Sequence, residues 1–562
     1  MQLFTCDDPR AVNGAQALIR TLVDAGVTTS FTNPGTSEMH FVAALDSVPE
    51  MRAVLALFEG VATGAADGYA RMTDKPAATL LHLGSGLGNG LANLHNARRA
   101  KVPLVNIVGD HATYHRQYDA QLQSDIETVA RNFSTWVRTS QSTAELSRDA
   151  AEAIAAAYGP PRQVATLILP ADVSWSDGAA PAAPPTLATA TVASESVVND
   201  VAAALRGRDS AAILLGGRAL REDGLRAAAA IAAATGARLL CEVFPTRLQR
   251  GAGLPALERL AYLPELASVQ LAGLKRLVLV DTKAPVSFFA YPGKKSYLVP
   301  DGCQVLELAS PSDDAVGSLT ALAAAVGAAP EGDVAVAQPG RPPRPSGELT
   351  AEKVCQAIGA VLPEGAIVSD ESQTSGVTLG AATAGAPRHD LLALTGGAIG
   401  QGLPVAVGAA VACPDRPVLA LEADGSALYT IQSLWTMARE QLNVTVVIFN
   451  NRSYAILNME LARVGAGTAG REAKAQLDLS RPDIDVATVA RGFGVDAQRV
   501  DTAEGLIAAL ERAFAEPGPH LIEALVPSVF TQRQLRAMPH ALRALEKLPR
   551  PIAAAVKDRL LP

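Results

Sequence analysis

Short apolar, β-rich runs alternate along this chain with stretches whose apolar residues recur at helical spacing. Gly14–Ala25 reads as an amphipathic helix and Thr28–Thr32 as a strand that stops at Asn33-Pro34-Gly35-Thr36-Ser37. Met51–Leu57 is a second strand running into Phe58-Glu59, and Gly60–Arg71 a helix of small residues. Ala77–His82, a glycine-rich turn Gly84–Gly90, a helix to Ala100 and the strand Leu104–Val108 continue the alternation. Ala211–Leu215, Gly224–Thr235, Arg238–Cys241 and Arg276–Asp281 repeat it. So do Glu352–Leu362, Ala366–Ser369, the small-residue run from Pro404 to Ala412, and His520–Val526. Strand and helix in strict alternation predict an α/β fold of three doubly wound parallel-sheet domains.

The most informative stretch is Pro417–Leu457. Two apolar runs, Val418–Glu422 and Val444–Phe449, end in Ala423-Asp424-Gly425-Ser426 and Asn450-Asn451-Arg452-Ser453. Leu428, Ile431, Leu434, Trp435 and Ala438 predict one helix between them. A right-handed βαβ unit makes the strands parallel, so Asp424 and Asn451 emerge on the same sheet edge, where α/β folds bind ligands. A carboxylate and an amide oxygen beside a small turn suit a hard cation and a phosphate. The plainer alternative is turn chemistry, for which Asp-Gly and Asn-Asn are equally suited.

Two segments rich in Pro, Ala and Gly, Ser176–Ser194 and Ala328–Ser346, read as linkers. They bound an N-terminal domain 1–180, a central domain 190–330, a last domain 347–530 and a helical tail 531–562. Hydrophobic residues make up 49% of the 562 positions, enough for substantial cores. A dispersed net charge of −8 argues against nucleic acid. No apolar run has the length of a membrane span. Cys6, Cys241, Cys303, Cys355 and Cys413 are too scattered for a disulfide framework or zinc site and read as buried thiols. Without a signal-like N-terminus, the expected setting is the cytoplasm.

Three further features bear on chemistry. Glu59 stands at a strand-to-helix junction among Leu55, Leu57, Phe58, Val61, Ala62 and Ala65, so its carboxylate should be largely buried. A helix N-terminus accounts for a carboxylate there, though not for its apolar surroundings. His82 ends a strand directly before the glycines, either as a core histidine bound to backbone or as a functional one. His111 and His115, in GDHATYHRQYD, follow the next strand and are secondary candidates. Gly84–Gly90 lacks the spacing of a dinucleotide loop, which disfavours a Rossmann dehydrogenase. Arg218, after Gly216-Gly217, could meet a phosphate, though a structural turn is the favoured reading.

Taken together, Ala423-Asp424-Gly425 followed by Asn450-Asn451, with Glu59 in the N-terminal domain, resemble the thiamine-diphosphate (ThDP) enzymes of the pyruvate decarboxylase superfamily. Asn33-Pro34-Gly35-Thr36, Leu57-Phe58-Glu59-Gly60, Ala66-Asp67-Gly68-Tyr69-Ala70, Leu81-His82, Gly88-Asn89 and Leu434-Trp435-Thr436 bring the chain nearest to benzoylformate decarboxylase and to acetolactate synthase large-subunit-like proteins. The resemblance implies domains for pyrimidine binding, a central domain and diphosphate binding. It implies that Asp424, Asn451 and the Ser453 carbonyl hold Mg²⁺, and that Glu371, Ser372, Gln373, Thr374, Gly397, Gly425, Ser426 and Tyr454 line the cofactor. Ile399 would be the wedge that bends ThDP, and Glu59 would reach the aminopyrimidine from the other subunit of a dimer. His82 and Thr36 match an active-site histidine and serine.

The implied reaction is non-oxidative decarboxylation of a 2-oxo acid through an enamine, by a homodimer or homotetramer. Two departures from the family pattern keep alternatives open. Ala423 replaces a glycine, and Pro285–Tyr291 contains no histidine where benzoylformate decarboxylase carries a second one. An acetolactate-type carboligase, joining the first unit to an aldehyde or second 2-oxo acid, is the first alternative. A cofactor-binding relative without turnover is the second.

Overall fold

The computed structural model describes residues 12–528 except 208, 330–333, 465 and 467–469, together with 540–542 and 544. Nearly all of the expected helical tail, and Cys6, lie outside the described residues. The chain divides into two compact units, Met1–Thr189 with Gly396–Ala412, and Ala190–Thr395 with Cys413–Pro562.

The first unit holds one sheet built from β1 (Thr29–Asn33), β2 (Arg52–Leu55), β3 (Ala77–Leu81), β4 (Leu104–Asp110), β5 (Trp136–Thr139) and β6 (Val164–Pro170). Its strands run in the order β2-β1-β3-β4-β6-β5, every pair parallel. β3, β4 and β6 are buried along their whole length, as continuous apolar strands with helices on both faces must be.

Helix Gly402–Ala412, which the sequence boundaries assign to the last domain, packs in this unit on helix Glu59–Thr73. Small residues allow backbone contact between the two: a Cβ on Gly408 would stand 1.9 Å from the Ala65 carbonyl oxygen. A buried ion pair pins the same junction. The Arg71 guanidinium forks onto Asp67 at 2.7 and 2.8 Å, and Gln401 donates to the same carboxylate at 2.7 Å. Buried charges of this kind hold only when paired and fully hydrogen-bonded.

The second unit carries two sheets. β7 (Ala211–Leu215), β8 (Arg238–Cys241), β10 (Glu258–Arg259), β11 (Arg276–Val280) and β12 (Gln304–Ala309) form a parallel sheet in the order β10-β8-β7-β11-β12. β13 (Ile367–Glu371), β14 (His389–Ala393), β15 (Val418–Ala423), β16 (Val444–Asn450), β17 (Asp496–Val500) and β18 (His520–Leu525) form the other. Its order is β17-β18-β16-β15-β13-β14-β9, with β9 (Leu248–Arg250) antiparallel to β14 and all other pairs parallel. Three α/β sheets, almost wholly parallel, agree with the expected fold class.

Local expectations fail at three places. The run Gly84–Gly90 is not a turn but the first part of helix Leu83–Ala100. The helix expected across 428–438 is cut down to Ser433–Arg439, with a separate short helical turn, Asp424–Ala427, before it. Of the cysteines expected to be buried thiols, Cys241 and Cys355 are buried, whereas Cys303 and Cys413 are half-buried; all four are free. Among the described residues no helix is long and apolar enough to cross a membrane.

Candidate active site

In the first unit the carboxyl ends of β1, β2 and β3 bring Thr36, Glu59 and His82 to one sheet edge. Thr36 opens a helical turn, Thr36–Glu38, and is exposed. Two residues on, Glu38 is fully buried. Its Oε2 accepts from the Gly35 amide at 2.7 Å and lies 2.8 Å from His82 Nδ1. Sequence reading misses Glu38 because its partner stands 44 positions away. The available signal is a carboxylate three residues past Gly35, just before the buried Phe41. Burial pushes the Glu38 carboxyl above its ordinary range, while His82 and the Gly35 amide pull it back. The imidazole is thus held by a buried carboxylate and not by backbone, which was the plainer expectation for His82.

Glu59 is the first residue of helix Glu59–Thr73 and is 8% exposed, in line with the expectation of burial. Asn89 donates to its Oε2 at 3.0 Å. Oε1 faces Gly86, where a Cβ would stand only 3.1 Å away. The glycines of helix Leu83–Ala100 thus let it pass close to the carboxylate, which is why a turn-like composition folds as a helix. Asn93 and Asn96, on the same helix, hold the loop that carries Gly397 and Ile399. Asn93 donates to the Gly400 carbonyl at 3.1 Å, and Asn96 donates to the Ala398 carbonyl at 2.8 Å and accepts from its amide at 3.2 Å. Gly397 takes φ 76°, a conformation glycine adopts without strain, and Ile399 is half-buried.

At the end of β4, Asp110 pairs with Arg116 at 2.7 Å, and burial raises its carboxyl above the ordinary range. The rings of His111 and His115 lie 5.2 Å apart. Both follow the strand, as their sequence position implies.

In the second unit, β15 and β16 end side by side, and Asp424 and Asn451 leave their adjacent ends as the βαβ reading requires. Asp424 Oδ1 accepts from the Gly425 amide at 2.9 Å and Oδ2 from the Arg452 amide at 2.5 Å. Burial pushes its carboxyl up to about 6 despite these bonds. Among the described residues no Lys or Arg side chain pairs with it. Asn451 Oδ1 accepts from the Ser453 amide at 3.0 Å, an Asx-type turn that leaves a second lone pair. Its amide reaches the Ser375 hydroxyl at 3.5 Å. The turn bonds leave a buried carboxylate beside an amide oxygen, a donor set whose chemistry fits Mg²⁺ as well as a turn.

Around this edge, Ser426 donates to the buried Glu422 at 2.9 Å, and the Tyr454 ring packs on Gly425. Glu371 ends β13 level with Glu422 and is buried. Ser372 donates to Asp370 at 2.5 Å, Gln373 takes φ 54°, and Thr374 is buried. The residues expected to act in catalysis, cofactor binding and metal binding thus fall into two sets. Thr36, Glu59, His82, Gly397 and Ile399 belong to the first unit, the remainder to the second.

The central sheet carries its own anions. Asp281 Oδ2 accepts from the Arg218 amide at 2.8 Å and Glu242 from the Gly217 amide at 3.3 Å, which makes Gly216–Arg218 the structural turn expected of it. In Pro285–Tyr291, Phe288 and Phe289 are exposed and pack edge-on at 4.9 Å.

Comparison with known proteins adds to this geometry. Residues 12–131 match the model for the thiamine pyrophosphate enzyme N-terminal TPP binding domain, and residues 373–524 that for the C-terminal TPP binding domain. The chain is 60% identical over 522 residues to the Mycobacterium tuberculosis protein named "Putative acetolactate synthase large subunit IlvX", covering 92% of this chain and all of the relative. It is 29% identical to benzoylformate decarboxylase of Pseudomonas aeruginosa over 89% of this chain and 96% of that one. The solved ThDP-dependent 4-hydroxybenzoylformate decarboxylase of Rhodococcus jostii RHA1 superimposes with a TM-score of 0.80 at 25% identity, over 92% of this chain and 99% of that one.

Proposed function

Because the chain belongs to the thiamine-pyrophosphate enzymes, we propose that it catalyses the ThDP- and Mg²⁺-dependent, non-oxidative decarboxylation of a 2-oxo acid. Bound ThDP supplies the electron sink that lets the bond to the departing CO₂ break. Asp424, Asn451 and the Ser453 carbonyl would hold Mg²⁺, and Glu371–Thr374, Gly425, Ser426 and Tyr454 would line the cofactor. Glu59, steadied by Asn89, would hold a proton toward the aminopyrimidine.

The observation that carries the decarboxylase reading is the Glu38–His82 pair. Loss of CO₂ from a 2-oxo acid must be balanced by one proton delivered to the former carbonyl carbon. His82, with Nδ1 on Glu38, keeps Nε2 to deliver that proton or to bond the substrate carboxylate. Glu38, its carboxyl raised by burial, resupplies it. Thr36 stands beside this pair as a substrate contact. A homodimer is the proposed minimal active unit, a homotetramer the proposed assembly, and the cytoplasm the proposed setting.

Acetolactate-type carboligation is the second reading, favoured by the 60% identical relative and by the histidine-free segment Pro285–Tyr291. Fewer proton donors leave more time for a second carbonyl compound to add. A panel of 2-oxo acids, with and without aldehyde acceptors and with saturating ThDP and Mg²⁺, separates the readings. CO₂ with a matching aldehyde supports decarboxylation. A ligated hydroxy-ketone as main product replaces it with the second reading, and no CO₂ from any acid overturns both.

A further inference from the structure

We infer that Asp496, Glu516 and His520 form a divalent-metal site, of the kind that takes Zn²⁺, on the second unit and remote from the catalytic edge. Their ligand atoms all lie within 4.8 Å of one another. Asp496 and His520 begin β17 and β18 and are direct neighbours in register, while Glu516 caps the preceding helix Ala503–Ala515. His520 is also level with Thr445, at the start of β16. Six residues of strand separate Thr445 from Asn451, about 20 Å. The cluster therefore lies at the opposite end of the sheet from Asp424 and Asn451.

The decisive residue is His520, which is 6% exposed. Its Nε2 lies 3.3 Å from the Glu516 carbonyl oxygen, and a carbonyl only accepts, so Nε2 carries the hydrogen. Nδ1 is buried and makes no hydrogen bond, yet it faces Asp496 Oδ2 at 3.5 Å. A bare nitrogen lone pair aimed at a carboxylate is repulsive unless a positive species sits on or between them. An imidazole that donates one N–H to a backbone carbonyl and turns its other nitrogen toward carboxylates has the outer-shell arrangement of a metal-binding histidine. One nitrogen and two carboxylates suit Zn²⁺ and exclude a hard-oxygen cage for Ca²⁺ or Mg²⁺. Arg512 also reaches Asp496 Oδ2, at 3.1 Å, and the carboxylate of the exposed Glu516 already lies within the same cluster. Such an ion would tie the edge strand β17 to the end of helix Ala503–Ala515.

The test is calorimetric titration of Zn²⁺ into the chelator-stripped full chain reloaded with ThDP and excess Mg²⁺, so that the cofactor site is filled. One Zn²⁺ per chain is expected, weakened about tenfold or more in each of Asp496→Asn, Glu516→Gln and His520→Gln. The first two replace exposed side chains and leave folding unthreatened, so a misfolded His520 variant does not spoil the result. Co²⁺ in place of Zn²⁺ should give a visible absorption band that the same variants lose. No Zn²⁺ uptake beyond the cofactor site, or equal uptake in wild type and all three variants, would leave a plain His520–Asp496 ion pair and overturn the inference.

Discussion

Asp424 and Glu38 are both buried carboxylates at the carboxyl ends of parallel strands, one in each unit, yet they are solvated in opposite ways. Among the described residues Asp424 is bonded by backbone amides, and burial pushes its carboxyl up to about 6. Glu38 has a titratable side chain, His82, at 2.8 Å. Amides fix an anion in place but exchange no proton, so the first arrangement stores a negative charge for a cation. An imidazole partner suits the second to proton exchange. On the proposed function the difference separates holding a cofactor from turning over a substrate, and each half can be broken without the other.

The largest effect is expected at Asp424. Asp424→Ala should weaken Mg²⁺–ThDP binding by about a hundredfold or more, because it removes the charged partner of a desolvated cation. Calorimetry with ThDP and Mg²⁺ reads it; unchanged affinity would move the metal elsewhere. Glu38→Gln should leave that affinity within about threefold and lower kcat roughly ten- to a hundredfold, less than the loss of a general acid itself. Equal losses of binding and turnover would erase the distinction. Asn89→Ala removes only one hydrogen bond to Glu59, worth about 1 kcal/mol, so kcat should fall roughly fivefold.

The smallest effect is on stability. A carboxyl raised on folding stabilises the fold fully below its unfolded value, and that contribution is lost as pH rises through its folded one. Glu38→Gln cannot ionise, so its Tm should exceed that of the wild type at neutral pH, the gap closing in acid. A gap that widens in acid would mean that the ionised carboxylate is the stabilising form.

How far these regions could be read from sequence follows their range. The Asp424–Asn451 edge is legible because one βαβ unit contains both residues and parallel pairing fixes their meeting. Glu59 is legible from its apolar neighbours. Glu38 is not, since its environment comes from β3 and the backbone at Gly109. Helix Leu83–Ala100 defeats its composition because close contacts with Glu59 and Thr63 reward glycine over any propensity cost. Asn93 and Asn96 look like surface residues until the 396–400 loop is laid across them. The helix expected at 428–438 fails because its apolar spacing spans a break between Ala427 and Ser433 that carries no Gly or Pro to mark it.

The separation of binding from turnover is tested most directly at Glu59. Calorimetry and CO₂ release should be measured on the same preparation of Glu59→Gln. The expected result is Mg²⁺–ThDP affinity within about threefold of wild type with turnover at least a hundredfold lower. Turnover close to wild type with the cofactor bound would contradict the account.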